Sequence, residues 1–116
     1  MQIDIQSQGF ALTHALREYA EGRLRFALVR AGEPIRRVAV RLFDVKGPRG
    51  ESNKCCRIQM MLNRSAAVVI EETQADVYLA IYRATGRIGR NLMRRLARLD
   101  ARPDYDPAGV ATAAVY

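Results

Sequence analysis

Residues 74–99 read QADVYLAIYRATGRIGRNLMRRLARL, and two periodicities run through them. Between Arg83 and Arg98 lie six arginines (83, 87, 90, 94, 95 and 98) and no acidic residue. Five of them, Arg83, Arg87, Arg90, Arg94 and Arg98, repeat at steps of four, three, four and four. At about 100° per residue they fall within a stripe roughly 80° wide on one helix face. Val77, Ile81, Ala84, Ile88, Leu92, Leu96 and Leu99 form an apolar stripe centred about 130–140° away. The pattern predicts a long helix from about Gln74 to Leu99, with one face for a core and a neighbouring face for a polyanion.

Upstream, Gln2 to Gln6 alternates polar and apolar and predicts a first strand, broken by Ser7-Gln8-Gly9. Thr13 suits an N-cap for a helix from His14 to near Arg30, with Leu12, Leu16, Tyr19, Ala20, Leu24 and Ala27 or Leu28 on its buried side. Gly32-Glu33-Pro34 ends it, because proline disfavours helical geometry in the residue before it. Arg36 to Asp44 alternates again, with Val38, Val40 and Leu42 on one face. Lys46 to Asn53 is turn material holding two glycines and a proline. Lys54 to Asn63 predicts a third strand, and Arg64-Ser65 reverses into a fourth, Ala66 to Glu71.

The expected order is β-α-β-β-β-α. Short reversals favour antiparallel pairing, and both helices must cover the same sheet face to bury their stripes. The fold class is therefore α+β, a two-layer sandwich of two helices on one face of a four-stranded sheet. Residues 1–101 are expected to form a single α+β domain, and residues 102–116, without sustained periodicity, a flexible tail.

The chain of 116 residues holds 19 basic and 12 acidic side chains, a net charge of +7. Only Lys46 and Lys54 of the basic set are lysine; arginine is the side chain suited to bidentate phosphate contact and to stacking. No apolar run is long enough to span a bilayer and no signal-peptide pattern opens the chain, so a cytoplasmic protein without membrane contact is expected. Cys55 and Cys56 are adjacent, too close for ordinary disulfide geometry and too few for a zinc site. They should point to opposite sheet faces, Cys56 into the core and Cys55 half-exposed. No metal or other cofactor is expected.

Each basic group has a plain reading beside the functional one. A solvated helix face normally mixes signs, since like charges at i,i+4 repel by a few tenths of a kcal/mol. In the second helix that repulsion runs uncompensated for about four turns, which favours polyanion binding. Arg17, Arg23 and Arg25 of the first helix lie among Glu18 and Glu21 and read as solvated unless the two helices merge their outer faces. Gly86 and Gly89, each costing up to about 1 kcal/mol relative to alanine in a helix, fit close approach of another backbone. Lys46, Arg49 and Lys54 surround a Gly-Pro turn and offer a weaker phosphate contact. Catalysis finds no support: His14 is the only histidine, and the Glu71-Glu72 pair should diverge at a strand end.

Two stretches carry a resemblance. Leu12-Thr13-x-Ala15-Leu16-Arg17-Glu18-Tyr19 opens one basic helix and Ala75-Asp76-x-Tyr78-x-Ala80-Ile81 opens the other. Together they resemble the ribosome hibernation-promoting factor family, which includes the ribosome-associated inhibitor A proteins and was earlier labelled sigma-54 modulation proteins. The likeness spans residues 1–99 in the same element order, a layout similar to double-stranded RNA-binding domains. It implies a non-enzymatic factor that binds the small ribosomal subunit through 16S rRNA, blocks the channel used by messenger and transfer RNA, and preserves idle ribosomes under stress. Neither DNA nor a small-molecule substrate is implied, and a monomer is expected. The family's basic positions match Arg87, Arg90, Arg94 and Arg98, with Arg95 beside them, and Arg23 in the first helix; the next falls at Phe26, one residue after Arg25. Arg83 rests on helical phase alone. Tyr82 stands where the motif usually has Asp, and the Asp44 to Lys54 hairpin suggests a divergent branch. Long members carry a second domain that pairs ribosomes, so a short form is expected. Two rivals stand beside this reading: a general duplex-RNA binder, and a protein-interaction module acting on a transcription factor through the open sheet face.

Overall fold

The computed structural model describes residues 2–29, 35–63 and 67–101. Its elements are β1 (Gln2–Gln8), α1 (His14–Leu28), β2 (Ile35–Lys46), β3 (Ser52–Leu62), β4 (Val68–Gln74) and α2 (Val77–Ala101). The strands lie side by side in the order β1-β2-β3-β4. The hairpins β2–β3 and β3–β4 are antiparallel, as their short connections require, whereas β1 pairs with β2 in parallel. The parallel edge follows from α1, which carries the chain back before β2 begins. The sheet is thus mixed.

The alternation that marks the strands becomes continuous rows across the sheet. Ile5, Val40, Ile58 and Ile70 are aligned by register, as are Ile3, Val38, Met60 and Val68. These residues join Leu16, Ala20, Leu24 and Leu28 of α1 and Ala80, Ile81, Ala84, Ile88 and Leu92 of α2 in one core. Both helices therefore share one sheet face, and the other face is open. The apolar stripe of α2 is buried from Ile81 to Leu92. The side chains of Leu96 and Leu99, the helix end near Arg30, the turns at 32–34 and 64–65 and the tail 102–116 lie outside the described residues.

The first helix is capped where the sequence places it, whereas the second starts three residues later than its periodicity suggests. The backbone N–H of Leu16 donates to Thr13 Oγ1 at 3.1 Å. The N–H of Tyr78 donates to Asp76 Oδ1 at 3.2 Å, which starts α2 at Val77 and leaves Gln74 in β4. The strands also run longer than their alternation suggests. Ser7 and Gln8 remain paired in β1, β2 extends to Lys46, β3 starts at Ser52, and β4 extends to Gln74 rather than stopping at Glu71. Polar residues supply ladder hydrogen bonds as well as apolar ones do, so a hydrophobic pattern ends before the ladder does.

Side chains along the helix seam fix its direction. Tyr19 meets Tyr78 edge-on with ring centres 5.0 Å apart. Arg23 reaches Tyr82 and Thr85, and Gly89 abuts Ala27. The numbers rise together, so α1 and α2 run parallel. A Cβ at Gly89 would sit 3.1 Å from both the Cβ and the carbonyl oxygen of Ala27. The glycine is therefore explained by helix–helix contact.

Cys55 differs from expectation. It does face away from Cys56, yet it is only 2% exposed rather than half-exposed. Register places Phe43 on one side of it and Thr73 on the other, and these neighbours cover it on the open face. One strand's alternation carries no information about its neighbours. Burial pushes both thiols up in pKa, Cys56 to about 12. The sign follows from linkage. Below the ordinary thiol value of 9.0 both folded and unfolded chains keep the Cys56 proton. Above it only the unfolded chain releases the proton, so stability falls as pH rises towards 12. We expect the unfolding free energy from urea titrations to drop between about pH 9 and 11, by roughly 1 kcal/mol per pH unit from this thiol. Cys56→Ala should flatten that slope; an unchanged slope would contradict the buried thiol.

Candidate nucleic-acid interface

Burial of Ile81, Ala84, Ile88 and Leu92 turns the other side of α2 to solvent, and all five stripe arginines emerge there exposed. At 1.5 Å per residue the row from Arg83 to Arg98 is about 22 Å long. Among the described residues, Arg83, Arg90, Arg94 and Arg98 have no hydrogen-bond or ion-pair partner. Unpaired guanidinium groups in a row repel one another and gain from an anion laid along them.

Arg87 is different. Its Nη1 donates to the carbonyl oxygen of Glu71 at 2.9 Å and to Glu72 Oε2 at 2.6 Å. Glu72 points to the helix side of β4, where it is half-buried, while Glu71 points to the open face and pairs with Arg57 at 3.1 Å. The two carboxylates diverge, as consecutive strand residues must. Arg87 thereby ties α2 to β4 and still lies half-exposed within the stripe. Arg95, off the stripe, donates from Nε to Asn91 Oδ1 at 3.2 Å.

On α1 only Arg23 joins this surface. Its Nε donates to Thr85 Oγ1 at 3.2 Å and its Nη2 to the carbonyl of Tyr82 at 3.4 Å. Its guanidinium carbon lies 4.4 Å from the centre of the Tyr82 ring. Thr85, the buried polar side chain of the helix layer, is satisfied by this bond and by donating to the Ile81 carbonyl at 2.8 Å. Arg17 and Arg25 are exposed, about 120° and 160° around α1 from Arg23. They therefore project away from α2, and the two helices do not merge all their arginines into one ridge.

The hairpin cations are separate again. Lys46 and Arg49 are exposed beyond the end of the sheet where both helices begin. Lys54 is paired with Asp44 and lies 4.9 Å from the centre of the Phe10 ring, which holds it against the fold. Arg94 and Arg98 stand towards the far end of α2, so hairpin and stripe form two patches.

Two hollows mark the surface. The larger, about 470 Å³, lies on the open sheet face among Gln6, Arg37, Arg41, Arg57 and Gln59. Two of its cations are neutralised, Arg37 by Asp4 at 3.5 Å and Arg57 by Glu71. The smaller, about 250 Å³, lies over the outer face of α2 and is bounded by Tyr82, Arg83, Gly86, Arg87 and Arg90 of that helix, by Arg23 of α1 and by Glu72 of β4. Positive charge concentrates in the smaller one. Tyr82 and Thr85 escape the charge pattern because neither is charged; the departure at Tyr82 is the signal that marks it.

The family model described as Sigma 54 modulation protein / S30EA ribosomal protein matches residues 3–100. The Thermus thermophilus Protein Y N-terminal domain superposes with a TM-score of 0.68 at 26% identity, covering 82% of this chain and 99% of that one. A ribosomal subunit interface protein from Coxiella burnetii superposes with a TM-score of 0.71 at 20% identity, covering 84% and 99%, and shows the shared fold. No curated protein matches.

Proposed function

The chain belongs to the Sigma 54 modulation protein / S30EA ribosomal protein family, and on that premise we propose that it is a ribosome-associated translation inhibitor. In this reading α2 lays its arginines on 16S rRNA phosphates of the small subunit, and the bound domain occupies the decoding channel of idle ribosomes. The observation that carries it is the row of five exposed arginines, four of them without a partner among the described residues, on a helix whose opposite side is locked into the core. A rigid helix holds its charges in register, so ordering them on binding costs little entropy. The half-buried Glu72 and the Arg23–Thr85 bond fix that helix against the sheet and its partner helix. Both act as supports rather than contacts. No reaction is assigned to the site; it binds.

Phosphate binding of this kind releases counterions and weakens steeply with salt. With about four to six phosphate contacts, affinity for purified small subunits should fall about 10²–10³-fold between ~50 and ~200 mM salt. Co-sedimentation at the two salt concentrations measures this. Absence from the small-subunit pellet at low salt, or equal binding at both, would overturn the reading. Competition with an unrelated RNA duplex tests target choice: equal affinity for duplex and subunit would favour a general duplex binder.

A further inference from the structure

The hollow over the outer face of α2 is built for more than phosphate. We propose that it is a stacking subsite for one unpaired RNA base, with Tyr82 as the platform and Arg83 and Arg90 as clamps on the flanking phosphates. The inference rests on the RNA-binding reading above and adds to it the kind of RNA the site selects.

Four observations converge. Tyr82 is 54% exposed although it lies beside the seam between two packed helices. Arg23, itself pinned by Thr85 and the Tyr82 carbonyl, lies over one face of its ring and holds the ring in place from that side. Arg83 and Arg90 are without partners among the described residues and bound the same hollow. Gly86 bounds it too, and a Cβ there would come within 3.3 Å of Arg90 Nη1, so the arginine lies close over the bare backbone.

Size and charge narrow the occupant. At about 250 Å³ the hollow is smaller than the ~300–1,000 Å³ of sites that enclose a whole ligand, which suits one planar ring rather than a free cofactor. A duplex keeps its bases stacked inside and presents phosphates, 2′-hydroxyls and base edges, so along its length it has no open ring face to offer Tyr82. An unpaired nucleotide can offer both. Stacking on an aromatic ring is tolerant of base identity, because every base has a π-face. Arg23 behind the ring supplies a cation to the same stack. Glu72 is the hollow's one acidic neighbour and is taken up by Arg87.

The test uses the full chain and two labelled RNAs of about 12 residues, a single-stranded oligouridine and a duplex of equal length, at fixed salt. Binding is read by fluorescence anisotropy. Tyr82→Ala should weaken the single strand about 10-fold and leave the duplex within about twofold, whereas Tyr82→Phe, which keeps the ring, should match the parent on both. Gly86→Ala guards against a folding artefact. Arg90 is flexible and exposed, so the added methyl is tolerated, and helix propensity should keep the melting temperature equal or higher. It should nevertheless weaken the single strand by about threefold or more, as the hollow is filled. Equal losses on both RNAs for Tyr82→Ala, loss with Tyr82→Phe, full single-strand binding by either alanine variant, or no binding of single strand by the parent would each overturn the proposal. Small-subunit sedimentation of the same parent protein reports separately on the ribosome reading.

Discussion

Replacing Arg90 and Arg94 together by glutamate should weaken small-subunit binding by about 100-fold or more at ~100 mM salt, equivalent to at least about 2.7 kcal/mol. Two attractive phosphate contacts become two repulsions, and the log–log salt slope should become shallower by about 1.5 to 2. These two positions give the cleanest reading. Both are exposed and, among the described residues, neither holds another group in place. The melting temperature should stay level or rise slightly, since the change also relieves like-charge repulsion within α2. Arg87 would be a poorer choice because its loss strands Glu72 and frees α2 from β4, mixing stability with binding. If the double variant sediments with small subunits as the parent does, the arginine face is not the contact. A partner docked on the open sheet face would be indifferent to the change.

The second large effect is on stability. Ile58 is fully buried at the middle of β3, aligned with Val40 on one side and Ile70 on the other. Truncating it to alanine removes three carbons from the row that both helices cover and leaves a cavity that a sheet relaxes poorly to fill. The expected cost is about 3–4 kcal/mol, a large part of the about 5–15 kcal/mol that stabilises a domain of this size. Urea denaturation should show the midpoint falling by about 1–2 M. Val69, next to Ile70 but on the open face and 49% exposed, makes the control: Val69→Ala should cost well under about 1 kcal/mol. Similar losses at the two sites would mean that the sheet is not one-sided.

Much of this was legible in particular residues. Thr13 and the stripe of Leu16, Ala20, Leu24 and Leu28 place α1, because capping and helical period are local properties. The two stretches that carry the family resemblance turn out to meet each other. Thr13 and Asp76 cap the helices, and Tyr19 and Tyr78, one from each stretch, touch across the seam. Those motifs record how the helices start and pack, and the arginines farther along carry the expected contact. The hidden parts are those that need a neighbour. Cys55 is covered by residues of two other strands, and Lys54 is held by Asp44 and Phe10 from the chain on either side of the turn and the strand before.

The sequence by itself determined the order of elements, the start of α1 at its Thr13 cap, the core stripe of α2 and the uncompensated arginine row. Each depends on chain-local spacing and charge. Tertiary structure alone decided that β1 lies parallel to β2, that α1 and α2 run side by side in the same direction, and that Arg17 and Arg25 turn away from α2. It also decided which arginines are free. Arg87 is engaged by β4 and Arg23 by Thr85, whereas Arg83, Arg90, Arg94 and Arg98 are left without a partner among the described residues. The physical reason is that a charge pattern counts donors, while availability depends on acceptors that other elements bring within about 3 Å.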